Sequence, residues 1–256
     1  MGVSEIVKNY LLNLETKSSK LVGFYQQGSS LTSNFDEHSD YDFIVMWKET
    51  IPFLHKRKEL VKKLGYEAID FRDIPTSIKS IELFKVNNKF INIAHVLSRD
   101  FFKFYKDVQN PKKFNPAMFV RLGGLRNSKI IYDTNGLIKK YTKKVKVTPR
   151  IRDVYYNYIK KEIEQDLYGL KIASERRGVI NFLRYFYDLV ENLSAAIWLS
   201  EGNFPDSLKR YEISEDNNLT DLLKKVEKGI DKKEVAKELI SISNKYGFKP
   251  SDKPKA

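Results

Sequence analysis

The first third of the chain alternates between short apolar runs and polar turns. Residues 4–19 carry apolar side chains at the helical period and predict an amphipathic helix. The runs 21–25 and 41–47 are mostly apolar and rich in β-prone residues, so they predict buried strands. Residues 52–64 begin at a proline and are followed by a glycine, which predicts a second helix, and residues 66–71 predict another short strand.

A hairpin follows, and beyond about residue 100 the helical period dominates. Residues 81–86 and 89–97 flank Asn87 and Asn88, a residue type that tolerates the positive φ of a tight turn. Beyond the hairpin, three stretches have the apolar spacing of helices: 151–175, 179–201 and 219–246. The order of these elements predicts a sheet-containing first half and a helical second half.

These elements predict an α+β protein with two domains. A small mixed sheet would occupy residues 1–142, and an all-helical domain residues 143–256. The chain of 256 residues, 41% of them hydrophobic, is long enough to form two cores. It has no cysteine, no secretion-signal pattern and no apolar run of the roughly 20 residues that span a bilayer. We therefore expect a cytoplasmic protein without disulfides or thiolate metal sites.

The net charge of +13 has two interpretations that the composition does not separate. One is a polyanionic partner, either nucleic acid or the phosphate chain of a nucleotide. The other is a lysine-rich surface that is simply solvated. In both cases the charge argues against a strongly cationic substrate unless acidic residues cluster locally to receive it.

Two short motifs around the first predicted strands carry the candidate chemistry. Gly28-Ser29 follows the first strand, and a small pair at that place lets backbone amides approach phosphate oxygens. Asp40 and Asp42 are two positions apart, so on a strand they project to the same face. Two carboxylates on a largely apolar strand repel each other, and a hard divalent cation such as Mg²⁺ would relieve that repulsion. The combination indicates a site for a metal-bound triphosphate.

The stretch GSSLTSNFDEHSDYDFIVMW resembles the signature of the DNA polymerase β-like nucleotidyltransferase superfamily. Within that superfamily the chain is similar to the antibiotic (aminoglycoside or lincosamide) nucleotidyltransferase type, which has a helical C-terminal domain. The resemblance implies an adenylyltransferase-like enzyme that uses ATP or another NTP as co-substrate and Mg²⁺ as cofactor. It further implies triphosphate contacts from Gly28, Ser29 and Ser30, and metal ligation by Asp40 and Asp42.

Two later segments are similar to other parts of that type. Residues 125–141 resemble a segment that follows the catalytic sheet. Residues 184–210 resemble a helix followed by an aromatic-proline turn and a lysine. On this similarity Lys209 would contact nucleotide phosphate, and the alternative is a solvated surface lysine.

The third carboxylate of the family pattern is missing. The strand that resembles its carrier, residues 90–96, has Asn92 at the central polar position, where the family has Asp or Glu. An amide offers a carbonyl oxygen to a metal but cannot take up a proton at neutral pH. General-base help is typically worth about 10²–10⁴-fold in rate, so Asn92 leaves the source of the base open.

Three explanations for Asn92 remain. The base comes from the helical domain, where Asp188 and Glu191 lie one turn apart, although these two would equally suit an ordinary solvated helix edge. Alternatively, Asn92 is a substitution that traps a substrate complex, or the protein binds nucleotide without turning it over. His38, just before the carboxylates, either caps a turn or contacts phosphate, and His95, on the opposite strand face from Asn92, favours a structural role.

The resemblance implies transfer of a nucleoside monophosphate, in the first instance AMP, from an NTP to a hydroxyl of a small-molecule acceptor, with release of pyrophosphate. The charge of +13 suits a polycationic acceptor poorly and leaves an RNA or protein hydroxyl as the alternative. A catalytically impaired nucleotide- or RNA-binding relative is the alternative from a different functional class. The interpretation includes no membrane partner and leaves a homodimer open.

Overall fold

The computed structural model describes residues 2–31, 39–75, 78–109, 116–176, 179–204, 217–229 and 231–251. The chain divides into two compact units. The first comprises Met1–Asn110 and Val120–Lys146, and the second comprises Pro111–Phe119 and Val147–Ala256. The predicted domain limits at residues 142 and 143 stay a prediction.

The first unit is built on a mixed sheet. Its strands in the described part of the chain are β1 (Leu21–Gln27), β2 (Tyr41–Trp47), β3 (Glu67–Asp73), β4 (Ser80–Val86), β5 (Lys89–Leu97) and β6 (Lys129–Asp133). Their order across the sheet is β3-β4-β5-β2-β1-β6. Neighbours β2 and β5 run parallel, whereas the other paired strands run antiparallel. The predicted small mixed sheet is confirmed.

The described residues of the two units also form helices. In chain order they are α1 (Val3–Asn13), α2 (Leu54–Lys63), α3 (Ser98–Gln109), α4 (Pro116–Arg126), α5 (Leu137–Lys144), α6 (Pro149–Glu175), α7 (Ile180–Ser200), α8 (Asn217–Glu227) and α9 (Lys232–Lys245). In the second unit the regular structure of the described residues is helical, with α6 packed against α7 and α9. The α+β prediction is therefore confirmed. No helix among the described residues is long and apolar enough to cross a membrane.

Local chemistry explains where two of these elements end. The predicted helix 4–19 was too long, because α1 stops at Asn13. Beyond it the hydroxyl of Thr16 accepts a hydrogen bond from the backbone N–H of Ser19 (3.0 Å), a local turn that competes with helix. In the hairpin, Asn87 and Asn88 have φ of 50° and 61°, so the predicted left-handed turn is confirmed.

One face of the sheet forms the hydrophobic core with α1 and α2. Alternate residues of β2 point into this core and are fully buried or nearly so: Phe43, Val45 and Trp47. His95 of β5 lies on the same face, where its Nδ1 accepts a hydrogen bond from Trp47 Nε1 (2.9 Å). The imidazole therefore carries its proton on Nε2, which lies 2.9 Å from Oε1 of Glu82. A structural role for His95 agrees with this buried position.

Candidate functional site

The opposite face of the sheet brings the motif residues together. Because β2 and β5 are parallel neighbours, Asp42 stands directly beside Asn92 in register. The side-chain amide of Asn92 donates a hydrogen bond to Oδ1 of Asp42 at 2.9 Å. Asn92 thus lies beside Asp42, at the position where the resemblance would place a third carboxylate.

The backbone of Gly28 lies close to the Asp42 carboxylate. It follows β1, whose last residue Gln27 is paired with Asp42 across the antiparallel β1–β2 ladder. Gly28 has φ of +85°, and a Cβ at this position would lie only 2.6 Å from Asp42 Oδ2. A side chain at residue 28 would therefore be strained and would push against the carboxylate. Eleven intervening residues separate this glycine from Asp40, yet the fold places its backbone against Asp42.

The turn after Gly28 is a short 3₁₀ segment, Ser29–Leu31. The hydroxyl of Ser30 accepts a hydrogen bond from Gln26 Nε2 (2.9 Å) and donates one to the carbonyl of Gln27 (3.3 Å). Ser30 therefore helps to fix the turn in this structure. The predicted phosphate contacts of Ser29 and Ser30 stay predictions.

The donor set fits a magnesium ion of the kind that is completed by substrate phosphates and water. Asp40, half-buried, lies just before β2, two residues from the half-buried Asp42. Within the described residues no group of three or more His, Cys, Asp or Glu side chains could hold a metal. Such a small donor set is sufficient for Mg²⁺, which usually keeps several waters and uses one or two protein carboxylates together with phosphate oxygens.

Replacing Gly28 by alanine should impair triphosphate binding more than it impairs folding. We expect Gly28→Ala to weaken Mg²⁺-dependent NTP binding by about tenfold or more, because the methyl group displaces the Asp42 carboxylate from its position. Isothermal titration calorimetry with each NTP in the presence of Mg²⁺ measures this loss.

Gly65 supplies the matched control for this experiment. It also has a positive φ, +75°, but an added Cβ there meets nothing within 4 Å. Both Gly→Ala variants should lose about 1 kcal/mol or somewhat more of stability through backbone strain. Equal NTP affinities in the two variants would show that the contact between Gly28 and Asp42 has no part in binding.

The helical unit contains a second group of acidic side chains. Asp188 and Glu191, both exposed on α7, line a cavity of about 770 Å³ together with Asp166 and Asn192. Asn192 Nδ2 donates a hydrogen bond to Asp166 Oδ2 at 3.2 Å. Asp166 was not predicted as a site residue, although its i, i+4 spacing from Glu162 on α6 is visible in the sequence. The catalytic role suggested for Glu191 stays a prediction.

The pKa of Asp166 is raised from 3.8 to about 6. Burial is the largest cause, the hydrogen bond from Asn192 and the charge of Arg184 oppose it, and the charges of Asp188 and Glu162 add to it. The folded state therefore keeps a proton that the unfolded state releases between about pH 4 and 6. Stability from this group is present at low pH and is lost as pH rises through that window.

The Asp166→Asn variant should remove this pH dependence. We expect the free energy of unfolding of the variant minus that of wild type to be larger at pH 7 than at pH 4.5. Urea unfolding of both proteins at the two pH values measures this difference. Asp153→Asn, an exposed position on the same helix, is the control and should show no such difference. An unchanged slope of stability against pH in Asp166→Asn would contradict the assignment.

Two predicted contacts fall outside the described residues. They are His38, before the metal carboxylates, and Lys209, after α7. The sequence interpretation also missed Gln27, which pairs with Asp42. Gly124 of α4 lies so close to Gln27 that an added Cβ would be 2.6 Å from its Oε1. The only sequence signal was a polar residue at the end of an apolar strand.

No protein-family model and no curated protein matches the chain. Among solved structures, a nucleotidyltransferase-like protein from Exiguobacterium sibiricum 255-15 is 11% identical, with 95% of this chain and 74% of that chain covered and a TM-score of 0.44. Spectinomycin adenyltransferase AAD(9) from Enterococcus faecialis, with ATP and spectinomycin, is 15% identical over 96% of both chains, with a TM-score of 0.38. Since both TM-scores are below 0.5, the functional assignment rests on the residues of the site.

Proposed function

We propose that the protein is a Mg²⁺-dependent nucleotidyltransferase that moves a nucleoside monophosphate, most simply AMP, from an NTP to a hydroxyl of a small molecule. The observation that carries this proposal is the meeting of three residues from three strands or strand ends. The backbone of Gly28 lies against the Asp42 carboxylate. Asn92, on the neighbouring parallel strand, donates a hydrogen bond to the same carboxylate. These contacts support a role for Asp42 in holding a divalent cation, with the backbone at Gly28 next to it.

Each residue has a distinct role in this proposal. Asp40 and Asp42 would hold Mg²⁺, which when bound neutralises triphosphate charge and favours in-line attack. The absence of a side chain at Gly28 leaves room for the Asp42 carboxylate next to the backbone. Asn92 fixes the orientation of Asp42 through its 2.9 Å hydrogen bond.

The bonds that change are defined by the chemistry of the transfer. The acceptor oxygen forms a bond to the α-phosphorus, the bond from that phosphorus to the bridging oxygen of the β-phosphate breaks, and pyrophosphate leaves. The acceptor proton passes to a base, and Asn92 cannot be that base because a neutral amide does not accept a proton at neutral pH. Glu191 of the helical unit is the candidate for the general base. The alternatives are a protein trapped in a substrate complex and a catalytically impaired protein.

The proposal is tested by incubating the protein with Mg²⁺, each of the four NTPs and a panel of hydroxylated acceptors, and measuring pyrophosphate. We expect pyrophosphate only when NTP, Mg²⁺ and a suitable acceptor are all present. Tight NTP binding without pyrophosphate across the panel would favour the impaired nucleotide-binding relative. Failure to bind any NTP in the presence of Mg²⁺ would contradict the proposal itself.

A second candidate function, action on RNA, is favoured by the charge around α5. Seven basic residues and no acidic one lie between Asp133 and Asp153 in the sequence. The lysines of α5 are exposed at positions 139, 140, 143 and 144, whereas Ile138 of the same helix is buried. A helix whose outer face is lysine and whose inner face is apolar suits contact with a phosphate backbone.

Matched double variants distinguish this candidate from a merely solvated surface. Lys143 and Lys144 form the basic last turn of α5, and Lys62 and Lys63 form that of α2. If RNA is a substrate, changing the α5 pair to glutamine should weaken binding of a single-stranded oligonucleotide and reduce the salt slope by about 0.7 per lost phosphate contact. An equal effect from the α2 pair would indicate non-specific attraction by net charge.

A further inference from the structure

A small cavity lies on the Asp42 face of the sheet in the first unit. It has a volume of about 140 Å³, and its walls include Tyr25, Ile44 and Val96 from three adjacent strands. The aromatic rings of Phe101 and Phe104 on α3 cover it from above the sheet. Tyr25 and Phe101 meet edge-on with ring centroids 6.5 Å apart. The cavity is therefore an apolar slot with aromatic walls.

The slot lies next to Asp42, on the same face of the sheet. Gln27 lines it and is the register partner of Asp42. Ile44 also lines it, two residues beyond Asp42 on the same face of β2, which is a distance of about 7 Å along a strand. A molecule held at Asp42 by its phosphates would need to extend by only one sugar-sized unit to place a ring in the slot.

Polar groups converge on the edge of the slot. Gln27 offers an amide with both donors and an acceptor, and its Oε1 lies close to Gly124 of α4. The guanidinium of Arg121 lies 5.4 Å from the centre of the Phe104 ring, and burial lowers its pKa below the usual value. Asp100 adds a carboxylate that can accept from an exocyclic amine. Apolar walls with a few directed polar groups are typical of ligand sites.

We propose that this slot binds the nucleobase of the NTP, an inference that rests on the proposed function. A volume of about 140 Å³ is well below the roughly 300–1,000 Å³ of pockets that enclose a drug-sized ligand, so it accommodates one ring system and not a whole nucleotide. The aromatic walls provide stacking surfaces, and Gln27 and Asp100 meet hydrogen-bonding groups on the ring edge.

The test compares ligands with and without a base. Wild-type protein and variants are titrated with ATP, GTP, CTP and UTP, and with tripolyphosphate, all in the presence of Mg²⁺. Phe104→Ala should weaken NTP binding by about tenfold, because base–aromatic stacking is lost, and should leave tripolyphosphate binding unchanged. Phe53→Ala, at a phenylalanine that is 69% exposed, should change neither.

A pocket-filling variant covers the case in which Phe104→Ala does not fold. Ile44→Phe should reduce NTP affinity toward that of tripolyphosphate, with the folded state checked by thermal unfolding. If wild type binds NTPs no more tightly than tripolyphosphate, or if neither variant separates the two ligand types, the slot is not a base site although the phosphate site stands. If wild type binds neither ligand type, the proposed function fails together with this inference.

Discussion

Replacing Asp42 by asparagine should lower nucleotidyl transfer by about a thousandfold or more. The substitution keeps the size of the side chain next to Gly28 but removes the negative charge that, in our proposal, would hold the divalent cation. Metal-ion stabilisation of transition-state charge is worth several kcal/mol, and about 4 kcal/mol corresponds to a thousandfold in rate. The measurement is the rate of pyrophosphate release at saturating NTP over a range of Mg²⁺ concentrations.

The matched control is Asp70→Asn on the edge strand β3. Asp70 is also a half-exposed strand carboxylate, paired at 3.2 Å with Arg72, but it stands at the far side of the sheet from the site. We expect this variant to retain full activity and its Mg²⁺ dependence. If Asp42→Asn bound NTP and Mg²⁺ as tightly as Asp70→Asn does, the assignment of the metal site would be wrong.

The motif residues were predictable because their chemistry is local in sequence. The i, i+2 spacing of Asp40 and Asp42 and the apolar run that follows identify both a strand and its polar face. The Asn87-Asn88 turn likewise determines the hairpin register, so both of its strands are found within a residue of their predicted limits.

Contacts that depend on non-neighbouring strands could not be predicted in the same way. Two strands, β3 and β4, lie between β2 and β5 in the sequence. Only the parallel pairing of β2 with β5 places Asn92 beside Asp42. The buried partnership of His95 with Trp47 has the same origin. The raised pKa of Asp166 depends on how α6 packs against α7, which the helical period does not specify.

Replacing Asn92 by aspartate should destabilise the protein unless a divalent cation is present. In wild type, Asn92 Nδ2 donates to Asp42 Oδ1 at 2.9 Å. In Asn92→Asp this donor is lost, and a second carboxylate faces Asp42 at about the same distance. Like charges at that distance repel, so the variant should lose roughly 1–3 kcal/mol of stability without a divalent cation. Mg²⁺ should restore most of it, which thermal unfolding with and without Mg²⁺ would measure. Asn88→Asp, in the exposed hairpin turn, should show no such response.

The same variant identifies the source of the general base. If the base is missing from the sheet, Asn92→Asp should raise the rate of pyrophosphate release by about 10²-fold or more. If instead the helical unit supplies it, that variant should gain little, and Glu191→Gln in the otherwise unchanged protein should lower turnover by about 10²–10⁴-fold while NTP affinity persists. A large gain in Asn92→Asp that survives Glu191→Gln would assign the proton transfer to the sheet. No turnover in any of these variants would leave nucleotide binding, without transfer, as the activity of this site.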